Sequence, residues 1–182
     1  MSEEGDGTGE IVFDERCETV RLEIRRARAS VGAHTWTQFC VRENDGRDGV
    51  VIVADHARCF LLVRQYRPAI AAWSWEFPRG MGEDRDPLVD AERELREETG
   101  LVAASVRLIG FVYPNTGLLN TRVAVISAQI ADIRPKSKPD GEVVELRWVD
   151  AAALSAQIAC GELTDGLSLA ALTLRNALGP AI

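Results

Sequence analysis

The chain has 182 residues, a formal net charge of −7 and a hydrophobic fraction of 46%, which predict one globular domain with at most a small appendage. The acidic charge argues against nonspecific nucleic-acid binding, which requires a basic surface. No apolar run reaches the ~20 residues that span a membrane, and the N-terminus lacks a signal-peptide pattern, so we expect no membrane partner.

The N-terminal part of the chain predicts a flexible tail followed by strands. The first ten residues are acidic and rich in glycine, as is typical of a tail. Residues 17–29 and 34–44 have alternating or β-rich character and predict two strands. We therefore divide the chain into a tail at 1–10, a small β-appendage at 11–45 and a main domain at 46–182.

The central part predicts a buried hairpin and then a helix. Residues 49–55 and 59–67 are apolar runs rich in Val and Leu, typical of well-buried strands. The stretch after them contains too much Gly and Pro to be regular throughout. A helix should follow, with Asp86 as its N-cap, Pro87 at its first position and Gly100 at its C-terminal end.

The last third of the chain predicts three more strands and two helices. The strands fall at residues 106–113, 122–132 and 142–149, and the helices lie between Asp150 and about Leu178, with a break near 160–166. The order of strands, one helix, strands and then helices predicts an α+β fold with a mixed β-sheet.

The four cysteines do not predict a metal site. Cys17, Cys40, Cys59 and Cys160 lie far apart, with no Cys-x-x-Cys pair among them. This spacing argues against a cysteine-based zinc site and favours reduced thiols in a cytoplasmic protein.

The predicted central helix carries a cluster of carboxylates near its end. Glu94, Glu97 and Glu98 stand at i, i+3 and i+4 and share one face, while Leu88 and Leu95 share another and fix the rotation of the helix. The helix could simply present a solvated charged face. However, the preceding Gly-Pro loop would place backbone carbonyls beside the acidic face, and Mg²⁺ prefers such oxygen clusters. The sequence therefore predicts a Mg²⁺ or Mn²⁺ site.

Residues 80–101 resemble the Nudix box, whose pattern is G-x5-E-x7-R-E-U-x-E-E-x-G-U with U an aliphatic residue. The second half, RELREETGL, matches at every fixed position. The first half departs from the pattern: the glycine is Gly80, one residue later than the pattern requires, and the first glutamate of the pattern falls on Arg85.

The resemblance extends to the ADP-ribose pyrophosphatase branch of the Nudix superfamily over roughly residues 45–178. LLVRQYRPAIAAWSWEFPRG before the box and YPNTGLLNTR after it are similar to segments of that branch. The resemblance implies a mixed sheet sandwiched between helices, with a small N-terminal β-appendage that commonly reaches across a dimer. A homodimer is therefore expected by analogy.

The resemblance also implies an activity, which is the divalent-metal-dependent hydrolysis of a nucleoside diphosphate linked to a sugar. The substrate most in keeping with the branch is ADP-ribose, which yields AMP and ribose 5-phosphate. Carried over to this chain, the metal ligands would be Glu94, Glu97, Glu98 and the backbone carbonyl of Gly80. Arg93 would hold Glu97 in place by an ion pair.

Other residues acquire roles from the same resemblance. Glu142 is the candidate general base, with Glu145 and Asp140 behind it and Glu94 as the alternative. Arg64 and Arg67 either bind phosphate or pair with a glutamate such as Glu76, which matches a family position near the terminal sugar.

Two other functions stay open. The chain could be a catalytically weak or inactive Nudix-fold module that binds or senses a nucleotide sugar, which the departure at Arg85 suggests and the complete second half of the box opposes. It could also hydrolyse a GDP-sugar, since no residue identifies the base.

Overall fold

A computed structural model describes residues 10–17 and 20–179. The predicted flexible tail falls outside the described residues, except for Glu10, which begins the first strand. The chain divides into two compact units. One contains the described residues up to Arg47 together with Tyr113–Arg122, and the other contains the remaining described residues from Asp48 onward. The first unit thus includes Tyr113–Arg122, which the sequence analysis placed in the main domain. The predicted domain boundary near residue 45 stays a prediction.

The described residues form ten strands and three α-helices. In chain order the elements are β1 Glu10–Cys17, β2 Val20–Val31, β3 His34–Glu43, β4 Gly49–His56, β5 Cys59–Arg67, β6 Ala72–Glu76, β7 Arg79–Gly80, α1 Pro87–Thr99, β8 Ser105–Val112, β9 Val123–Gln129, β10 Val143–Asp150, α2 Ala151–Cys160 and α3 Gly166–Ala177. None of these helices has the length and apolar character needed to span a lipid bilayer.

The first unit is built on a three-stranded antiparallel sheet with the order β1-β2-β3. The sequence predicts β2 and β3 but not β1, so the appendage has three strands rather than two. The physical reason is that the successive residues Ile11, Val12 and Phe13 are all exposed. An edge strand without a buried face leaves no alternating pattern in the sequence.

The second unit contains a mixed sheet with the order β10-β5-β4-β9-β8, in which β6 also pairs with β5 and β7 with β4. Strands β4 and β9 are parallel, whereas the other pairs are antiparallel. Alternate residues of β4 point to opposite faces: Ile52 packs in a core with Leu95 of α1, and Val53 packs in a second core with Leu154 of α2. The sheet is therefore sandwiched between helices, and the predicted α+β fold is confirmed.

Helix α1 begins and ends as the sequence predicts. The Asp86 side chain accepts a hydrogen bond from the backbone N–H of Leu88 at 2.9 Å, and Pro87 occupies the first turn. Gly100 ends the helix in the left-handed conformation with φ 71°, which L side chains rarely adopt. These two ends fix the length of the helix that carries the acidic cluster.

Several polar side chains lie at the C-terminal end of β4, away from the residues near its start that pair with β7. Gln129 Nε2 donates a hydrogen bond to Asp55 Oδ2 at 2.8 Å, and a ring nitrogen of His56 donates to the Ile130 carbonyl at 2.6 Å. Burial raises the pKa of Asp55, and the nearby charge of Arg175 opposes the rise. Asp55 Oδ1 is buried and has no hydrogen-bond partner among the described residues.

Candidate functional site

The pairing of β7 with β4 sets the position of Gly80. Gly80 pairs with Val50 near the start of β4, and the loop that follows leads into α1. The Glu94 carboxylate lies directly against the Gly80 backbone, so that a Cβ atom at this position would collide with it. A side chain at this position would require the flexible end of Glu94 to move away, so glycine permits the observed close approach.

Glu94 and Glu98 form the buried part of the acidic cluster. Glu98 is 3% exposed, and its Oε2 accepts a hydrogen bond from the backbone N–H of Arg79 at 3.2 Å. Burial raises the pKa of Glu98 to about 8, and the neighbouring charge of Glu94 adds to the rise. Burial also raises the pKa of Glu94 to about 7, although Arg93 opposes it. Two carboxylates one helical turn apart thus stand where burial disfavours their charged forms.

Arg93 is the centre of the ion pairs around this cluster. Its guanidinium lies 2.8 Å from Glu97, 2.9 Å from Glu94 and 3.1 Å from Asp90, measured between nitrogen and carboxylate oxygen. The ion pair between Arg93 and Glu97 that the resemblance implies is therefore present. The Glu97 side chain is 46% exposed, so this glutamate lies at the solvent edge of the cluster.

Asp90 anchors the loop before the helix. It is 2% exposed, and its carboxylate accepts hydrogen bonds from the backbone N–H groups of Glu83 and Asp84 at 2.9 and 3.2 Å. Sequence reasoning did not identify Asp90, although its position three residues before Arg93 on a helix is a signal for an ion pair. Arg85, which replaces the first glutamate of the pattern, is exposed.

A buried glutamate joins two arginines beside the cluster. Glu76 is fully buried, and Arg67 donates two hydrogen bonds to its carboxylate at 2.9 and 2.8 Å. Arg79 donates a third at 2.6 Å and also lies 3.6 Å from Asp165. The sequence analysis assigned no role to Arg79, although its position directly before Gly80, a proposed metal ligand, indicated a place near the site.

The structure places Arg64 and Arg67 on opposite faces of the sheet. Residues directly opposite each other on paired strands share a face. Arg67 and Gln65 lie on the face of Glu76, which pairs with Val63, whereas Arg64 pairs with Trp75 on the other face. There Arg64 lies 3.5 Å from Glu145 and stacks over the Trp73 ring. Arg67, and not Arg64, is thus brought together with Glu76.

The candidate base Glu142 lies on the loop before β10. Its Oε2 accepts a hydrogen bond from Gln65 Nε2 at 3.0 Å. The same loop reaches the end of α1, because the backbone N–H of Asp140 donates to the Glu97 carbonyl at 2.9 Å. Glu145, one of the two reserve candidates, is instead close to Arg64 and Arg147.

The donor set at the end of α1 fits a divalent metal ion. The carboxylates of Glu94 and Glu98 and the backbone carbonyl of Gly80 are hard oxygen donors, which Mg²⁺ and Mn²⁺ prefer. A cation would also offset the charge of two carboxylates that burial disfavours. Among residues 10–17 and 20–179, no three Asp, Glu, His or Cys side chains already stand together as a metal-binding group.

A NUDIX-domain family model matches residues 45–169, more than half of the chain. The chain belongs to the Nudix family. The predicted resemblance is thereby confirmed. The mouse ADP-sugar pyrophosphatase is 33% identical over 126 residues, which cover 62% of this chain and 58% of that protein. The ADP-ribose pyrophosphatase of Mycobacterium tuberculosis is 25% identical over 142 residues, which cover 76% of this chain and 68% of that protein.

A solved structure described as an ADP compounds hydrolase has the same fold. It superposes with a TM-score of 0.70 over 94% of each chain, at 19% sequence identity. This likeness establishes the fold alone. The chain spans 49–58% of the length of three curated Nudix relatives that it matches.

Proposed function

We propose that the protein is a cytoplasmic hydrolase that uses Mg²⁺ or Mn²⁺ to cleave the pyrophosphate bond of a nucleoside diphosphate sugar. ADP-ribose, giving AMP and ribose 5-phosphate, is the substrate that we favour. The observation that carries the proposal is the acidic pair on α1: Glu94 lies against the backbone of Gly80, and the buried Glu98 accepts a hydrogen bond from the backbone N–H of Arg79. The names of the mouse and mycobacterial relatives support the substrate class.

Glu94, Glu98 and the Gly80 carbonyl would hold the cation, which when bound neutralises pyrophosphate charge and lowers the pKa of an attacking water. Glu97, paired with Arg93 at the solvent edge, remains proposed as a further ligand. Arg93 keeps the cluster together by balancing three carboxylates at once.

Arg67 is proposed to bind a phosphate of the substrate. Its guanidinium is fixed by two hydrogen bonds to Glu76, and its side chain is still 27% exposed. An arginine held in this way presents its remaining N–H groups in a defined direction, which suits a phosphate oxygen. Glu76 would therefore act on the substrate through Arg67. Arg64 is also proposed to bind phosphate, but it lies on the other face of the sheet.

Glu142 is proposed as the general base. A base must lie within hydrogen-bond reach of the water whose proton it removes. Glu142 is exposed, lies on a loop that touches the end of α1, and is held by Gln65. Glu94 remains the alternative base.

The second candidate function is a Nudix-fold module that binds a nucleotide sugar with weak or no turnover. One observation favours it: Arg85 stands where the family pattern has a glutamate. A GDP-sugar hydrolase is a rival within the same chemistry, because no described residue distinguishes adenine from guanine.

A panel of substrates separates these functions. We would measure phosphate release at alkaline pH, with a phosphatase coupled to the monophosphate products, from ADP-ribose, ADP-glucose, GDP-mannose, UDP-glucose, NADH and a nucleoside triphosphate. Cleavage of ADP-ribose that requires Mg²⁺ or Mn²⁺ is the expected result. Preferred cleavage of GDP-mannose would favour the GDP-sugar hydrolase. Binding of ADP-ribose without turnover, in folded protein with either metal, would favour the binding module.

We also propose that the protein is a homodimer. The three-stranded sheet of the first unit leaves large apolar side chains exposed on β1 and β3, including Phe13 at 43% and Phe39 at 51%. Exposed apolar groups of this size are typical of an interaction surface. Sedimentation should give the mass of two chains, and the double substitution Phe13→Ser with Phe39→Ser should shift it towards one. A monomeric wild-type protein at micromolar concentration would contradict this proposal.

A further inference from the structure

Gln65 is a buried amide whose place in the sheet is not explained by packing. Gln65 lies in β5 and is only 6% exposed. Its neighbours across the two adjacent strands are Val143 and Ser74. Its Nε2 donates a hydrogen bond to Glu142 Oε2 at 3.0 Å, and its Oε1 is buried with no hydrogen-bond partner among the described residues.

The direction of the Gln65 amide follows from the chemistry of its partner. An ionised carboxylate only accepts hydrogen bonds, so the NH₂ end of the amide must face Glu142. The carbonyl end is therefore left in the interior without a partner, an arrangement that is rare in folded proteins. An apolar residue of the same size would fill the position without an unpaired polar atom, so the contact with Glu142 is the feature that requires glutamine.

We propose that Gln65 is the positioning residue for Glu142. Gln65 stands on a rigid central strand, whereas Glu142 stands on a loop and is exposed. The other hydrogen bond of Glu142 is local, from its backbone N–H to Asp140 Oδ1 at 2.9 Å. Gln65 thus fixes a carboxylate whose only other described hydrogen bond is made by its backbone.

This inference rests on the proposed function, in which Glu142 removes a proton from the attacking water. The benefit of Gln65 is geometric, because a base displaced by an ångström loses much of its contribution to the rate. Gln65 acts through Glu142, so it should affect the turnover step and not the binding of substrate.

A double-mutant cycle tests the inference. Gln65→Met keeps the length of the side chain and removes the donor, and we expect kcat for ADP-ribose to fall about tenfold with KM little changed. In the Glu142→Gln background the same change should have less than about a twofold effect, because the group that Gln65 positions is already lost. An equal fall in both backgrounds would overturn the inference and make Gln65 a structural residue.

Ser74→Ala is the matched control, since Ser74 pairs with Gln65 on the same face of the sheet and has no described contact with Glu142. It should leave kcat unchanged, and a fall equal to that of Gln65→Met would contradict a specific role. If Gln65→Met does not fold, Gln65→Asn replaces it, because asparagine keeps an amide that is one methylene too short to reach Glu142.

Amide hydrogen exchange separates failure of this inference from failure of the proposed function. If the wild-type protein hydrolyses nothing in the panel, the proposed function fails. The contact is still testable, because Gln65→Met should speed exchange in the loop that carries Asp140 and Glu142 while α1 is unchanged. Unchanged exchange in this loop would overturn the inference whatever the activity.

Discussion

Glu98 and Asp55 are both carboxylates whose burial raises the pKa, but only Glu98 has other acids among the neighbours that raise it further. Glu98 lies beside β7, near the start of β4, where Glu94 and Glu76 raise its pKa further, while the Arg79 backbone N–H and the charge of Arg67 oppose the rise. Asp55 lies near the other end of β4, where Arg175, the Gln129 amide and His56 all favour the charged form. The buried Glu98 thus has like charges among its neighbours, whereas every charged or polar neighbour that shifts the pKa of the partly buried Asp55 favours its charged form.

This difference is the basis on which we propose a ligand at the end of β4 near Glu98 and not at the end near Asp55. A protein that needs only stability places opposite charges or amides around a buried acid, as it does at Asp55. Two buried acids facing each other are costly unless something positive joins them. Arg93 already pairs with Glu94, and the cost of burying the charge of Glu98 beside it is the physical reason for which we propose a cation there.

The largest effect should come from Glu98→Gln. This change keeps the shape of the side chain and removes one charged oxygen donor, so turnover of ADP-ribose should fall about 1000-fold while the fold persists. The measurement is kcat at saturating Mg²⁺, with a circular dichroism spectrum to verify folding. Glu92→Gln is the matched control, because Glu92 lies on the same helix and is exposed. Full activity of Glu98→Gln would contradict the metal-binding role that the comparison of Glu98 with Asp55 supports.

A smaller effect is expected from Glu76→Gln. The carboxylate of Glu76 is fully buried and accepts three hydrogen bonds from Arg67 and Arg79, whose side chains are about three-quarters buried. An amide would lose the charge and turn a donor towards the guanidinium groups, so the free energy of unfolding should fall by about 2 kcal/mol. Chemical denaturation measures this change. An unaltered midpoint would show that the two arginines do not depend on Glu76.

The smallest effect should be a pH dependence at Asp55. Because the folded pKa is raised, the folded state binds this proton more tightly than the unfolded state does. The loss of folding stability caused by ionised Asp55 is absent below the ordinary Asp pKa of about 4 and is complete above the raised pKa of the folded state. Asp55→Asn removes this titration, so the stability of the variant relative to wild type should rise with pH across that window.

The rise should be less than about 1 kcal/mol, because Asp55 is only partly buried and solvent screens its charge. Denaturation curves of both proteins between acidic and neutral pH give the difference, in which the titrations of all other groups cancel. A relative stability that falls with pH would mean that Arg175 outweighs burial at this site.

Local sequence signals predicted α1 and its ends, because Asp86, Pro87 and Gly100 each act through the backbone next to them. The same is true of the core strands, whose Val and Leu runs record burial directly. Strand β1 was missed, because residues 10–15 are exposed and their pairing with β2 depends on partners elsewhere in the chain.

Contacts between elements were harder to predict in the site than the elements themselves. Spacing on one helix predicted that Glu94 and Glu98 would share a face, but not that Glu97 would lie at the solvent edge. The contacts of Gln65 with Glu142 and of Arg79 with Glu76 join different elements of the sheet and its loops. Such contacts follow from strand register, which one sequence does not contain.

The most direct test of the metal site is the effect of Mg²⁺ or Mn²⁺ on the unfolding temperature, without substrate. A ligand that binds only the folded state raises this temperature as its concentration increases. We predict a rise for the wild-type protein and for Glu92→Gln, and none for Glu98→Gln. Equal rises in all three proteins would place the cation elsewhere, and no rise in the wild type would contradict a metal site at Glu94 and Glu98 in the absence of substrate.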